Sequence, residues 1–386
     1  MRHLFILLML LNAIQSEAQI RHCGNDAFQH PFREFKKNVR KLGPPIFDRE
    51  PITIAIVVHV VWHNPEENLC DEAIFAQIKA LNRDFSGQNL DGDLVPSEFE
   101  AIKSGDTGIR FCLASIDPAG RSTTGIVRVK TPFAEAGLSD SLYNSDRGGS
   151  SAWDVERYLN LWVANTGKFI AGFGTYPSFV APEKSGVVIH PKYFGTHANG
   201  RFNLGRTTVH EVGHYLGLLH PWDGDNCGIA DSIADTPPQS HAYEGCPDYP
   251  QYSCGNSIAF MNYMDYVDDA CMVMFTQGQK AIMLSTLETL RPHLINNQTT
   301  ACLSPLSPKF DFEIYPIPAR QEIFIRTQNP LIAEAYSIEI LNPFGQKVSI
   351  LQCIKSNSEI QIEVNSLTPG IYFVRIGKLA KAFVRM

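Results

Sequence analysis

Beyond its first dozen positions the 386-residue chain lacks any apolar run near 20 residues, so no later segment is long or apolar enough to span a bilayer. Positive charge is also scarce. Lys and Arg number 33 against 40 Asp and Glu, a formal net charge of -7, and no basic stripe reverses that balance locally. Such a surface argues against a nucleic-acid partner. The nine cysteines form no Cys-x-x-Cys knuckle, which argues against a structural zinc ribbon. Long internal repeats and low-complexity tracts are missing too, which excludes a solenoid. With 44% hydrophobic and 19% charged residues the composition is that of a globular chain, long enough for more than one domain.

What is present begins at the N-terminus. Arg2 and His3 precede an apolar run from Leu4 to Leu11, and Ser16-Glu17-Ala18 puts small residues where a signal peptidase reads. Residues 1–18 are therefore expected to be a signal peptide and the protein to be secreted. In an oxidising compartment the closely placed Cys227, Cys246, Cys254 and Cys271 suggest two disulfides, although spacing cannot choose among the three pairings. An odd total leaves at least one thiol over, with Cys23 the obvious choice. Cys70 is expected to pair with Cys112.

Residues 19–50 are basic, with Arg33, Lys36, Lys37, Arg40 and Lys41, and show little periodicity; they read as a removable pro-segment. Ile52 to Trp62 is a nearly continuous β-branched run of the kind buried on both faces of a sheet. Asp71 to Phe85 reads as a helix with Ile74, Ile78 and Leu81 on one face and Asp71 as its cap. Further strands are expected at Ile109–Ser115, Gly125–Lys130, Leu159–Ala164 and Gly186–His190, and helices at Thr207–Leu219 and Phe275–Leu294. Strands interspersed with helices indicate an α/β sheet domain, over residues 51–303. After a Pro-containing linker at 304–311, short alternating runs across 312–386 read as a small all-β sandwich.

The chemistry concentrates in Thr208-Val-His210-Glu211-Val-Gly-His214-Tyr-Leu-Gly217-Leu-Leu-His220. Histidines at i and i+4 lie one turn apart on the same helical face, so both imidazoles can bind one ion. Gly217 can take positive φ, ending the helix and swinging His220 in as a third ligand. Three protein ligands leave the fourth zinc position to water, the mark of a catalytic site. Glu211, beside the first ligand, is then the general base. His59 and His63 read as structural, and His190, His197, His241 and His293 lack ligand spacing.

Downstream stands Asn262-Tyr-Met264-Asp-Tyr266. The long histidine motif followed by a methionine turn resembles the metzincin peptidases. That resemblance implies Met264 as a hydrophobic floor beneath the imidazoles and Tyr266 as a phenol that hydrogen-bonds the oxyanion. Together with the four cysteines, Asp235-Thr-Pro237, Leu81-Asn-Arg-Asp-Phe85 and Phe111-Cys-Leu-Ala114, the motif resembles the pappalysin family over roughly Ile52 to Leu303. The resemblance implies a two-subdomain fold, with a twisted mixed sheet and active-site helix above an irregular lower part. It also implies disulfides Cys227–Cys254 and Cys246–Cys271, and calcium bound by Asp231, Asp235 and Thr236. Asp269 would form the base of a pocket favouring cleavage before Arg or Lys. Substrate is expected to lie extended along Gly186 to His190, pairing backbone to backbone at Val187 and Val188.

Arg21-His-Cys23-Gly-Asn-Asp26 resembles the cysteine-switch segment of metzincin precursors, which implies a Cys23 thiolate on zinc in a latent zymogen. In the tail, Tyr315-Pro-Ile-Pro-Ala319, Asn342-Pro-Phe-Gly345 and Leu367-Thr-Pro-Gly-Ile-Tyr-Phe-Val374 resemble the C-terminal sorting domain of type IX secretion, with Ile317 where that pattern has Asn. The secretion machinery is then a partner. The reading is a secreted zinc endopeptidase acting on proteins or peptides. A surface adhesion protein carrying a peptidase-like module is the alternative.

Overall fold

A computed structural model describes residues 23–27, 45, 50–177, 180–198, 200–223, 227, 231–296, 302, 312–327, 338–350, 359–376 and 379–386. The expected signal peptide, most of the pro-segment, the linker and Cys353 lie outside the described residues.

The first sheet is built on β1 (Ile52–Trp62), which pairs in parallel with β2 (Ile109–Leu113) along its first half and with β3 (Ile126–Lys130) along its second. On its other side β1 meets β4 (Leu159–Val163), and β5 (Gly172–Gly174) and β6 (Val187–Ile189) complete the order β2-β1-β4-β6-β5. All pairs are parallel except β5 with β6. Both faces of β1 are covered, which is why its sequence is apolar without alternation. Ile52, Ile54, Ile56, Val58 and Val60 join one core with Ile74, Leu81 and Phe85 of α1 (Asp71–Phe85). Ala55 and Val57 pack with Tyr158 on the opposite face, and Val61 with Trp162.

Three helices differ from the sequence reading at their ends, the expected Phe275–Leu294 running only from Gln277 to Leu290. The N-cap of α1 is Cys70, with Asp71 inside the first turn and no side-chain cap bond. Here Asp71 instead engages Arg128 of β3. The active-site helix α2 (Arg206–Tyr215) stops earlier than expected, because Gly217 has φ 94° and the Leu218 N–H turns back to the Gly213 carbonyl. A third helix, α3 (Gln277–Leu290), opens on a capping box between Thr276 and Gln279.

The N-terminus of α2 is tied down by charge. Arg206, 1% exposed, pairs with Asp84 of α1 at 3.4 Å and with Asp91 at 2.6 Å. Among the described residues of 220–263 the regular strands are two residues long, and the stretch is cross-linked by Cys227–Cys254 and Cys246–Cys271. The expected Cys70–Cys112 bond does not form. Cys112 lies on β2, and its sulfur is bonded to Cys302, while Cys70 is disulfide-bonded elsewhere.

The C-terminal part comprises two antiparallel sheets. Strands Phe312–Tyr315, Glu322–Thr327 and Glu359–Glu363 form one; Lys347–Ile350, Ile338–Leu341, Gly370–Ile376 and Leu379–Arg385 form the other. Their inward residues, among them Phe312, Ile325, Ile340, Ile362, Val374 and Phe383, make one shared core, the condition for a sandwich. No helix among the described residues is long and apolar enough to cross a membrane.

Candidate metal centre and active-site cleft

Residues of α2 and the turn after it converge on one point. The Nε2 atoms of His210, His214 and His220 stand 3.1 Å (210–214), 3.0 Å (214–220) and 3.2 Å (210–220) apart. All three rings are buried. Their other nitrogens are engaged: Nδ1 of His210 lies 2.8 Å from the Tyr263 carbonyl, Nδ1 of His214 2.8 Å from the Leu218 carbonyl, and Nδ1 of His220 3.1 Å from Asp223 Oδ2. These contacts place the ring protons on Nδ1 and turn three Nε2 lone pairs toward a common centre. Burial holds His214 well below the ordinary imidazole range, so its ring is neutral. Lone pairs so close repel one another unless a cation sits among them. Bonds of about 2.1 Å to a tetrahedral zinc separate ligand atoms by roughly 3.4 Å, so the donor set fits that ion.

Around the three imidazoles the remaining motif residues close in. Met264 is fully buried beneath the helix, so close that a Cβ on Gly213 would stand 2.5 Å from its sulfur. The ring of Tyr266 lies 5.2 Å from that of His220 and 5.7 Å from that of His210. Asp265 accepts hydrogen bonds from the Tyr243 and Tyr266 N–H groups and from Gln239, which fixes the methionine turn. Cys23 is buried within the same cluster; its thiol donates to Glu211 Oε2 at 3.2 Å, and its sulfur lies within 4.8 Å of the three histidine donor atoms.

Three neighbours were missed in the sequence. Trp222 stacks on His220 at 4.6 Å and meets Tyr266 edge-on, and Asp223 holds both the N–H and Nδ1 of His220. Their signal was adjacency to the third histidine. The hydroxyl of Tyr176 lies 3.2 Å from His214 Nδ1, and no local pattern announced it.

Val187 and Val188 cannot pair with substrate as expected. They lie on β6, which is hydrogen-bonded to β4 on one side and β5 on the other, so its backbone is already used. The sheet ends at β5. Gly172 and Gly174 let β5 lie directly on α2: a Cβ at Gly174 would come within 2.1 Å of the Glu211 carbonyl oxygen. The outer edge of β5 carries the N-terminal segment instead, through a parallel bridge between Cys23 and Gly172 and a 2.9 Å bond from Asn25 Nδ2 to the Gly174 carbonyl.

The remaining sequence-derived residues lie farther out. Asp269 is fully buried and its Oδ2 accepts the Leu204 N–H at 2.8 Å, just before α2. Asp268 pairs with Arg201 at 2.9 Å. In the loop after His220, Asp231 Oδ2, Asp235 Oδ1, Ser232 Oγ and Thr236 Oγ1 are buried without hydrogen-bond partners. Burial pushes the Asp231 carboxyl up to about 7; Thr236 lies near enough to favour the charged form, yet outside hydrogen-bonding geometry.

A mixed sheet, a helix and following turn that bring three imidazoles together, and a methionine turn define a metzincin-type zinc metalloendopeptidase. A family model described as pregnancy-associated plasma protein-A matches residues 143–288, and one described as a secretion system C-terminal sorting domain matches residues 313–385. Mature mirolysin of Tannerella forsythia, solved with a cleaved peptide, is 42% identical with a TM-score of 0.61, covering 64% of this chain and 96% of that one. A promirolysin mutant from the same organism is 38% identical with a TM-score of 0.67, covering 72% and 95%. An extracellular metalloprotease of Arthroderma otae is 28% identical over 280 residues, 70% of this chain and 92% of its own. The chain belongs to the pappalysin family, and its sorting domain marks it as secreted through the type IX system.

Proposed function

We propose that the protein cleaves peptide bonds with His210, His214 and His220 as zinc ligands and Glu211 as general base. The convergence of three buried Nε2 atoms within 3.2 Å of one another, beside the Glu211 carboxylate, carries this reading. When bound, zinc supplies a Lewis acid that polarises the scissile carbonyl and acidifies a water. Glu211 takes a proton from the attacking water and returns it to the leaving amine. Tyr266 donates its phenolic proton to the developing oxyanion, a contribution of typically ~3 kcal/mol. The substrate backbone pairs with the outer edge of β5.

Four further roles belong to this reading. In the precursor, Cys23 would join the three histidines in holding the metal and keep water from Glu211, with residues 1–18 as the leader and 19–50 as the pro-segment. Asp269 receives an Arg or Lys side chain just after the cleaved bond. Asp231, Asp235 and Thr236 hold a structural calcium ion, whose oxygen preference suits the four unpartnered acceptors in that loop. The sandwich at 312–386 is read by the secretion machinery.

The test of the mechanism is Glu211→Ala. Zinc content and melting temperature should match the parent, while hydrolysis of casein falls below about 1%, since general-base catalysis typically supplies 10²–10⁴-fold. A variant retaining more activity than that contradicts the base role.

A further inference from the structure

Beside the outer edge of β5 lies a cavity of about 510 Å³, whose walls include Leu138, Tyr143, Ile170, Phe173, Tyr176 and Val180. Leu138 and Val180 are 53% and 37% exposed, so apolar surface faces solvent at its mouth. Lys184 and Asp140, the charged residues of the lining, are paired with each other at 2.7 Å. No net charge therefore invites a charged ligand, and a buried apolar side chain would gain from the walls.

The cavity belongs to the cleft by position. Cys23 stands at the histidines, and the next two residues, Gly24 and Asn25, line the cavity as the segment runs along β5. Gly24 passes without filling it: a Cβ there would already meet Phe173 at 3.2 Å and Ile170 at 3.3 Å. A peptide on the same edge, with the residue before the reacting bond in the place of Cys23, would have its next one or two side chains at this wall. The cavity adjoins the Gly174 end of β5. The opposite end, where Gly172 pairs with Ile189, leads through His190 toward Arg201, the partner of Asp268. If Asp269 takes the residue after the cleaved bond, this cavity takes a residue before it.

We propose that the cavity is a specificity subsite that selects a large apolar side chain, aromatic or branched aliphatic, two or three residues before the cleaved bond. The proposal rests on the reading of Asp269 for its direction along the chain. Selection of this kind is worth on the order of tenfold or more in kcat/KM between Phe and Ser at the selected position.

The experiment is a mass-spectrometric cleavage profile of a protein digest by the zinc-loaded, active protein, followed by kinetics on a matched Phe/Ser peptide pair. Enrichment of Phe, Tyr, Leu or Ile at one of the two positions is expected. The Phe-to-Ser ratio should fall toward one in Leu138→Asp, which changes an exposed side chain, and in Phe173→Ala. A flat profile at both positions, or a ratio that survives both variants, overturns the subsite. Apolar selection on the far side of the bond overturns its placement. Apolar selection without Arg or Lys after the bond removes the Asp269 reading alone, and the reverse pattern removes the subsite alone.

Discussion

At Asp269 two roles compete for one carboxylate. Its Oδ2 accepts N–H bonds from Leu204 and Arg206 at the start of α2, a placement that favours negative charge at a helix N-terminus. Loss of specificity in an alanine variant would therefore be confounded by a loosened helix. Asp269→Asn keeps an acceptor oxygen and removes the charge. If the side chain also receives a substrate cation, kcat/KM on Arg peptides should fall about 30-fold, roughly 2 kcal/mol, with Leu peptides and melting temperature little changed. Equal losses on both peptides would leave Asp269 a structural anchor only. His59 illustrates a residue whose role is purely structural. It lies in the sheet with Ser150 Oγ at 2.8 Å and Asn160 Oδ1 at 3.0 Å, stacked on Trp162, and burial lowers its pKa to about 4. The unfolded chain binds a proton near pH 6.5 that the native state refuses until about 4. Stability is therefore full above pH 6.5 and falls as pH drops through that window, by up to about 3 kcal/mol. Urea midpoints measured across it should show a slope that His59→Gln lacks; identical slopes would refute the assignment.

Among the elements, what the sequence disclosed depended on whether the information was local. Grouping three imidazoles needs only helical periodicity and a glycine stop, so His210, His214 and His220 could be brought together on paper. The β-branched run of β1 likewise announces a strand covered on both faces. Strand order is different in kind. Nothing in Gly186–His190 says that β5 will add outside it, because the edge is set by a three-residue strand, Gly172–Gly174, too short and too rich in glycine to register as one. The Cys112–Cys302 bond, 190 residues apart, was equally out of reach of spacing arguments. In the segment Cys23–Asn25 a backbone bridge to Gly172 positions the sulfur, and the sulfur meets Glu211. Removing the thiol should leave the segment paired with Gly172 yet free the space beside Glu211 and the three imidazoles. Precursor carrying Cys23→Ala is expected to activate several-fold faster than the parent in a time course of casein hydrolysis. Equal activation rates would mean that the backbone pairing alone maintains latency.

For the molecule as a whole, stability is unevenly supplied. The sheet, α1 and α2 share a continuous core to which Ile233, Ile258, Phe260, Met261 and Tyr263 also belong, but the described residues of 220–263 have little regular structure of their own and are cross-linked. The disulfides there close loops of 27 and 25 residues, each worth about 3–4 kcal/mol in a chain-entropy estimate. No cysteine falls within the stretch from Asp231 to Thr236, which lies inside the loop closed by Cys227–Cys254, and four buried oxygens there lack partners. A polar group buried without a hydrogen bond costs about 1–3 kcal/mol, so such a loop is poorly stable unless a cation collects those oxygens. Asp235 also reaches across to α3, where its Oδ2 accepts the Gly278 N–H at 2.8 Å, so disorder in the loop would propagate to that helix. Calcium at 100 times its Kd contributes about 2.7 kcal/mol, which for a domain of this size corresponds to a rise of about 5–10 °C in Tm. Protein freed of metal by chelation and reloaded with zinc alone should melt that much lower than protein given zinc and calcium. Asp231→Asn, which removes one carboxylate without removing its volume, should abolish the calcium-dependent part of the rise while retaining the zinc-dependent part. A melting curve indifferent to calcium in the parent protein would show that these oxygens are satisfied in some other way, and that the loop owes its order to the disulfides.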